Sequence, residues 1–410
     1  VTFPGNSSPA SAGGGGERAG EGEAPLIFIV AGEPSGDALG AALMRGLRQR
    51  TGGRVRFAGI GGEEMAKEGV ASLVPLHELA IMGIAEVLPR ARLILRRVRE
   101  TVAEIVRLNP EAVVTIDSSG FSWRIAQRLR RRGERLPLIH YVAPMVWAWR
   151  AGRARRMARW YDHLMALLPF EPPYFDKVGL SCAYVGHPVI ESGADRGDAA
   201  AFRARHGIPE AAPLLCVLPG SRRGEVARLL PVFGETAARL ASQIPGLRVV
   251  VPTVTTVAEA VRQGTQSWSV PVTIVAGTAE KYDAFAASRA ALAASGTVAL
   301  ELAMAGLPMI VAYRTSPITA WVVRRLVKVS FANLVNLVLG RLLVPEMIME
   351  DCVPERLSSA VAPLMLDEAA RRTQRDGFAE ALEKLGRGGA SPSVRAADEV
   401  LAVIARRRQA

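Results

Sequence analysis

Short apolar runs recur along the chain, and most end in a turn rich in Gly, Ser, Pro or Asp that leads into a segment with helical spacing. The run LIFIVA (26–31) gives way to Gly32-Glu33-Pro34-Ser35-Gly36-Asp37, and 38–49 then reads as a helix. Strand-like 55–58, 112–116 and 138–142 alternate with helical 63–67, 91–108 and 123–131. After a charged, Gly/Ala-rich stretch the pattern restarts at LLCVL (214–218), which ends in Pro219-Gly220-Ser221-Arg222. There the spacing predicts helices over 226–242, 281–289 and 298–305, with strands at 247–251, 272–276, 290–293 and 308–313. Residues 313–356 are less regular, and 370–385 and 394–408 read as closing helices.

Strands alternating with helices imply parallel sheets covered on both faces. Two such halves, each opening on a strand and a Gly-bearing loop, predict an α/β chain of two Rossmann-like domains facing a cleft. Sheets of this kind bind ligands beyond the carboxyl ends of their strands, so the loops just named are the candidate site. No short internal repeat is present.

Composition narrows the class. A chain of 410 residues with 49% hydrophobic content is large enough for two cored domains, and Lys+Arg 51 against Asp+Glu 39 gives +12, a charge suited to an anionic partner. Cys182, Cys216 and Cys352 are far apart and form no C-x-x-C pair, which predicts reduced thiols in a cytosolic chain. Residues 1–24, mostly Gly, Ser, Ala, Pro and Glu, read as a disordered tail rather than a signal peptide. No charge-free apolar stretch reaches 18 residues, so any membrane contact is expected to be peripheral.

Four loops carry candidate chemistry. The Gly32–Asp37 loop lacks the G-x-G-x-x-G spacing, and its carboxylates Glu33 and Asp37 suit hydroxyl groups better than a pyrophosphate. The Pro219–Glu225 loop precedes a helix, where amides and the positive dipole end favour phosphate, and Arg222 offers two parallel donors. It has no P-loop Lys-Ser/Thr ending. Ser295-Gly296-Thr297 opens the helix bearing Glu301, a carboxylate among apolar neighbours that is able to accept two ribose hydroxyls. Asp117 ends AVVTI, a strand terminus from which a carboxylate can take a proton from a sugar hydroxyl. His77, His140, His163, His187 and His206 show no metal-ligand spacing, and no metal or cofactor is expected.

Residues 80–95 (AIMGIAEVLPRARLIL) combine apolar positions with Arg90, Arg92, Arg96, Arg97 and Arg99, a pattern that suits an interfacial segment as well as a core helix. A second basic run, Arg150 to Arg159, follows Trp147-Ala148-Trp149. It could read as single-strand nucleic-acid binding, but no RRM, KH or zinc-knuckle signature supports that, and no nucleic-acid partner is expected.

The ordered segments AGEPSGD (31–37), FAGIGG (57–62), ELAIMGIAEVL (78–88), IDSSGF (116–121), IHYVAPMVWAWR (139–150), LPFEPPYF (168–175), YVGHP (184–188), LPGSRRGE (218–225), ASGTVALE (294–301), YRTSP (313–317) and NLVNLVLGRLLVPE (333–346) closely resemble the bacterial lipid-A-disaccharide synthase family over nearly all of 25–395. The resemblance implies a GT-B fold: an acceptor and membrane-facing domain at 25–190, a linker at 191–212, a UDP-sugar domain at 213–365, and helices at 366–410 crossing back to the first domain. It also implies an inverting transfer of 2,3-diacylglucosamine from its UDP derivative to 2,3-diacylglucosamine 1-phosphate. The expected location is peripheral, on the cytoplasmic face of the bacterial inner membrane, and a homodimer is compatible.

By the same resemblance Asp117 is the base with Glu33 beside it. Ser35, Asp37, Met82, Glu86, Trp147 and Arg150 are substrate contacts, and Arg222, Ser295, Gly296, Thr297, Glu301 and Asn336 hold UDP. The chain departs from the family's IDxPDF stretch at Ser119 and Gly120, which removes a second carboxylate, and Met349 replaces a Gln. The alternatives are another GT-B transferase of UDP-N-acetylglucosamine, an epimerase, or a catalytically silent membrane-binding homologue.

Overall fold

The computed structural model describes residues 24–79, 84–147, 152–315 and 331–409, with only the backbone considered at 84–90 and 119. Strands β1 (Leu26–Ala31), β2 (Arg56–Ile60), β3 (Ala112–Ile116), β4 (Leu138–Tyr141), β5 (His163–Ala166) and β6 (Ser181–Tyr184) form a parallel sheet in the order β2-β1-β3-β4-β5-β6. The second parallel sheet comprises β7 (Leu214–Leu218), β8 (Arg248–Thr253), β9 (Val272–Ala276), β10 (Ala290–Ala294), β11 (Met309–Tyr313) and β12 (Glu346–Ile348), in the order β12-β11-β10-β7-β8-β9.

Alternation along each central strand feeds two separate cores. Phe28, Val30 and Val113 pack on one face of the first sheet with Val98, Val102 and Ile105 of helix α3 (Ile84–Leu108). Ile27, Ile29 and Val114 pack on the other face with Leu43, Met44 and Leu47 of α1 (Pro34–Thr51). In the second sheet Leu214 and Cys216 face one core while Leu215 and Val217 face the other. Both faces are therefore dry, which is why these strands read as continuous apolar runs. Each fully buried Leu, Ile or Phe contributes roughly 1.5–3 kcal/mol.

The last helix, Pro392–Gln409, lies on α1 and buries Ala396, Ala397 and Val400 in the same core. A Cβ at Gly46 would come within 2.5 Å of the Ser393 carbonyl oxygen, so glycine sets how closely the two helices approach. The segment before it is tied to the first sheet as well: the His187 amide donates to the Leu385 carbonyl at 3.1 Å and the Tyr184 hydroxyl to that of Lys384 at 2.7 Å. Among the described residues no helix is long and apolar enough to cross a membrane.

Differences from the sequence pattern have local causes. β5 and β6 do not stand out in the pattern: each has four residues, one opens on a histidine and the other is a half-exposed edge. Helices at Ala258–Thr265 and Pro354–Leu366 also escape it, the first being short and the second carrying Pro363 in its interior. Helices Ser119–Arg131, Arg223–Ala241 and Thr278–Ala287 start several residues early, because their first turns are polar or glycine-bearing and carry no apolar stripe.

Candidate active site

In each sheet the strand order reverses beside the first strand, between β1 and β3 in one and between β7 and β10 in the other. At such a switch point the following loops splay to opposite sides and leave a crevice. Ala31 pairs in register with Ile116, so Gly32-Glu33 and Asp117 emerge side by side. Likewise Leu218 pairs with Ala293, which brings the Pro219–Arg222 loop next to Ser295-Gly296-Thr297.

The turn after β3 is held in an unusual backbone conformation. Asp117 and Ser118 both take left-handed φ, 46° and 43°, before helix α4 (Ser119–Arg131) begins. Neither is glycine, and such geometry costs energy unless the surroundings enforce it. The Asp117 amide donates to the Tyr141 carbonyl at 2.9 Å, and the Ser122 hydroxyl donates to the Asp117 carbonyl at 2.9 Å. A Cβ on Gly32 would sit 2.4 Å from Ser118 Oγ, so the two loops fit only because position 32 has no side chain.

Burial raises the Asp117 carboxyl above the usual aspartate range, while the Ser118 amide partly offsets this. Glu33 is also raised, first by burial and then by the charge of Asp117, whereas Arg222 acts in the opposite direction. Glu33 thus senses the neighbouring carboxylate and an arginine from the second sheet, which places the two switch points in electrostatic reach of each other. A carboxyl with a raised pKa is a better proton acceptor once ionised.

A cleft of about 830 Å³ runs along the second sheet's loops, lined by Arg222, Ser295, Gly296, Thr297 and Glu301, with Trp147 contributed by the first domain. Arg222 is the N-cap of helix Arg223–Ala241 and supplies no side-chain cap, so the amides of the first turn keep their anion-binding character. Its guanidinium donates to Glu225 Oε1 at 2.9 Å while remaining largely exposed. Gly220 has a φ of 107°, and a Cβ there would meet Glu225 Oε2 at 2.7 Å. Open space surrounds the missing side chain of Gly296, which leaves room for a ligand against the backbone.

Sequence reasoning missed Lys281, whose Nζ donates to Glu301 Oε2 at 2.6 Å in the same cleft. Its position just inside the helix after β9 was the available signal, because that is another strand's carboxyl end. Glu171 was missed too. It is buried, accepts from Trp147 Nε1 at 3.1 Å and from the Leu168 amide at 3.0 Å, and burial pushes its carboxyl up to about 7. Trp147 is thereby pinned, with its ring edge-on to Phe170 at 5.3 Å.

A family model for lipid-A-disaccharide synthetase matches residues 27–400. The lipid-A-disaccharide synthase of Rhodospirillum centenum is 56% identical over 382 residues, covering 93% of this chain and 95% of that protein. That of Paramagnetospirillum magneticum is also 56% identical, over 92% of this chain and 97% of its own length. The chain belongs to the lipid-A-disaccharide synthase family. It is accordingly a glycosyltransferase of lipid A biosynthesis. A solved structure from S. aureus, the MnaA–UDP complex, superimposes with a TM-score of 0.63 at 12% identity, covering 94% of this chain and 97% of that one. At that identity the match speaks for the GT-B fold.

Two residues that the resemblance assigns to ligands make their hydrogen bonds within the fold. The Asp37 side chain is buried and accepts from the amides of Gly62, Glu64 and Met65 at 2.7, 2.9 and 3.0 Å. It anchors helix α2 (Glu63–Lys67) beneath the loop. Asn336 is fully buried: Oδ1 accepts from the Leu343 and Val344 amides at 2.9 Å, and Nδ2 donates to the Val344 carbonyl and Glu346 Oε1 at 2.8 Å. Its hydrogen-bonding capacity is used in shaping the wall behind the cleft. Ser35 is exposed on the first loop. Met82, Arg150 and the Glu86 side chain lie outside the described residues.

Two of the histidines serve the fold. His140 Nδ1 lies 2.8 Å from Thr115 Oγ1 and burial pushes it down to about 3; His187 accepts from the Val189 amide at 3.1 Å and is pushed down to about 4. Both are neutral at physiological pH.

Proposed function

We propose that this chain transfers 2,3-diacylglucosamine from UDP-2,3-diacylglucosamine to the 6-hydroxyl of 2,3-diacylglucosamine 1-phosphate, giving the β(1→6) disaccharide 1-phosphate and UDP. The carrying observation is the pair of facing switch points. One presents Asp117 with Glu33, the other Arg222 with Ser295 to Thr297, and Glu33 responds to charges of both.

Asp117 removes the proton from the acceptor hydroxyl as the oxygen attacks the anomeric carbon from the face opposite UDP, so an α-linked donor becomes a β product. Proton removal by a positioned base supplies about 100- to 10,000-fold. Charge developing on the departing diphosphate is met by Arg222, the first amides of its helix and those at Gly296 and Thr297. Glu301, held by Lys281, takes the ribose hydroxyls. Trp147 closes the cleft against the sugar. With these cations serving the leaving group, turnover persists in EDTA.

The enzyme works on acylated substrates from the cytoplasmic face of the inner membrane, as a peripheral protein. Exposed Leu95, Arg92, Arg96 and Arg99 of α3 support that placement. Product analysis tests the reaction: a β(1→6) linkage by proton coupling and correlation spectroscopy, formed in EDTA, is the expected result, whereas an α linkage or epimerised UDP-sugar would overturn it.

A further inference from the structure

Five of the six residues of helix Leu334–Leu339 are apolar, and they point two ways. Val335, Val338 and Leu339 are buried in the core, while Leu334 and Leu337, one turn apart, are only partly covered and line the cleft. A helix that is apolar all round is ordinarily buried on every face; here one such face meets the cleft instead. Phe331, just ahead of the helix, lines the cleft as well. The first domain adds Trp147 and Met145, the latter 54% exposed. An unbranched thioether of this kind adapts to an irregular apolar partner.

The apolar wall is held in place and adjoins the Ser295–Thr297 loop. Glu346 accepts from the Ala332 and Asn333 amides at 2.8 and 3.0 Å, and the Asn333 side chain accepts from the Val335 amide at 2.7 Å. The Ser295 hydroxyl donates to the Ala332 carbonyl at 3.2 Å, which ties the wall to the loop that meets the diphosphate. UDP is polar and anionic and gains nothing from side chains such as Phe331, Leu334 and Leu337. An alkyl chain that starts close to the diphosphate does, because each methylene it buries leaves water.

We propose that the wall of Phe331, Leu334 and Leu337, with Met145 of the first domain, is the subsite for the acyl chain on the donor's 2-amino group. That position neighbours the anomeric carbon, which bears the diphosphate, so its chain leaves the sugar beside Ser295. The assignment rests on the donor named under Proposed function, and it makes the cleft itself, rather than the membrane-facing surface of α3, the place where this chain is read.

Titration calorimetry with UDP, UDP-N-acetylglucosamine and UDP-N-hexanoylglucosamine tests this without detergent, since the two sugars differ only in chain length. The parent should bind the hexanoyl sugar about 10- to 100-fold tighter than the acetyl one, as burial of a few methylenes implies. Leu337→Asn and Met145→Gln should shrink that preference and leave UDP affinity unchanged, which also shows that the variants are folded. Leu337→Trp fills the space beside the wall and should turn the preference toward the acetyl sugar, a gain that a damaged fold does not produce.

Because the readout is binding, it is independent of turnover. A chain-length preference that the variants lose sustains the subsite even where the parent makes no disaccharide, in which case the reaction assignment fails alone. Equal affinity of the parent for both sugars, or a preference intact in both Leu337→Asn and Met145→Gln, would overturn the subsite while the reaction stands. A preference that arises only when phospholipid vesicles are added would assign the chain to the membrane and overturn it too.

Discussion

Replacing Glu171 by Gln removes a carboxyl that titrates inside the wall of the cleft. In the folded protein this group is buried and raised to about 7, against an ordinary value of 4.5. Because the folded-state value lies above the unfolded one, the folded chain holds the proton more tightly. The associated stability is therefore fully present below about pH 4.5 and lost as pH rises through about 7. A separation of about 2.5 pH units at about 1.4 kcal/mol each amounts to about 3.5 kcal/mol.

Glu171→Gln keeps an oxygen to accept from Trp147 but cannot serve the Leu168 amide with its NH₂ group, a pH-independent loss of about 1 kcal/mol. The measurement is urea denaturation of both proteins between about pH 4.5 and 7.5, with the difference in unfolding free energy plotted against pH. The parent should start ahead and lose about 3 kcal/mol relative to the variant across this range. Two parallel curves would refute the argument, because they would mean that Glu171 does not titrate there in the folded state. Since Trp147 hangs from this carboxyl, Trp147 fluorescence should follow the same transition in the parent alone.

Asp37→Ala should lower thermal stability, since it strands three amides at the start of Glu63–Lys67 at about 1–3 kcal/mol for a buried unmade bond; calorimetry alongside kinetics would show a lower Tm with KM near parental in the folded fraction, and a KM effect without a Tm effect would restore a ligand role. Arg222→Ala should weaken UDP binding about 10- to 100-fold by titration calorimetry, with Arg222→Lys intermediate because a point charge replaces a fork. The pH profile of kcat/KM should fall on the acid side with an apparent pKa above that of free aspartate, since Asp117 is raised by burial and acts when deprotonated; an acid limb absent from the parent profile down to the ordinary aspartate range would contradict it.

The central strands of each sheet were legible because they are buried on both faces: β1, β3 and β7 coincide with the apolar runs that announced them. Elements that pack on one side only, such as edge strand β6, carry a weaker pattern that polar neighbours obscure. The site was legible through its loops, since a Gly-bearing turn at a strand's carboxyl end lets the backbone approach a ligand closely. What residue identity could not tell was direction. Asp37 lies in the first turn of α1 and Asn336 inside helix Leu334–Leu339, and helix and turn amides claim their side chains. Lys281 and Glu171 matter through partners distant in sequence, Glu301 and Trp147, and no local spacing announces such pairs.

The central claim is base-assisted transfer between the two switch points. Its most direct test is UDP release from UDP-2,3-diacylglucosamine, with and without 2,3-diacylglucosamine 1-phosphate, by the parent and by Asp117→Asn in detergent micelles. The account predicts acceptor-dependent release by the parent and a fall of about 100- to 10,000-fold in kcat for the variant, with UDP affinity retained. Near-parental release by a folded Asp117→Asn protein would contradict it.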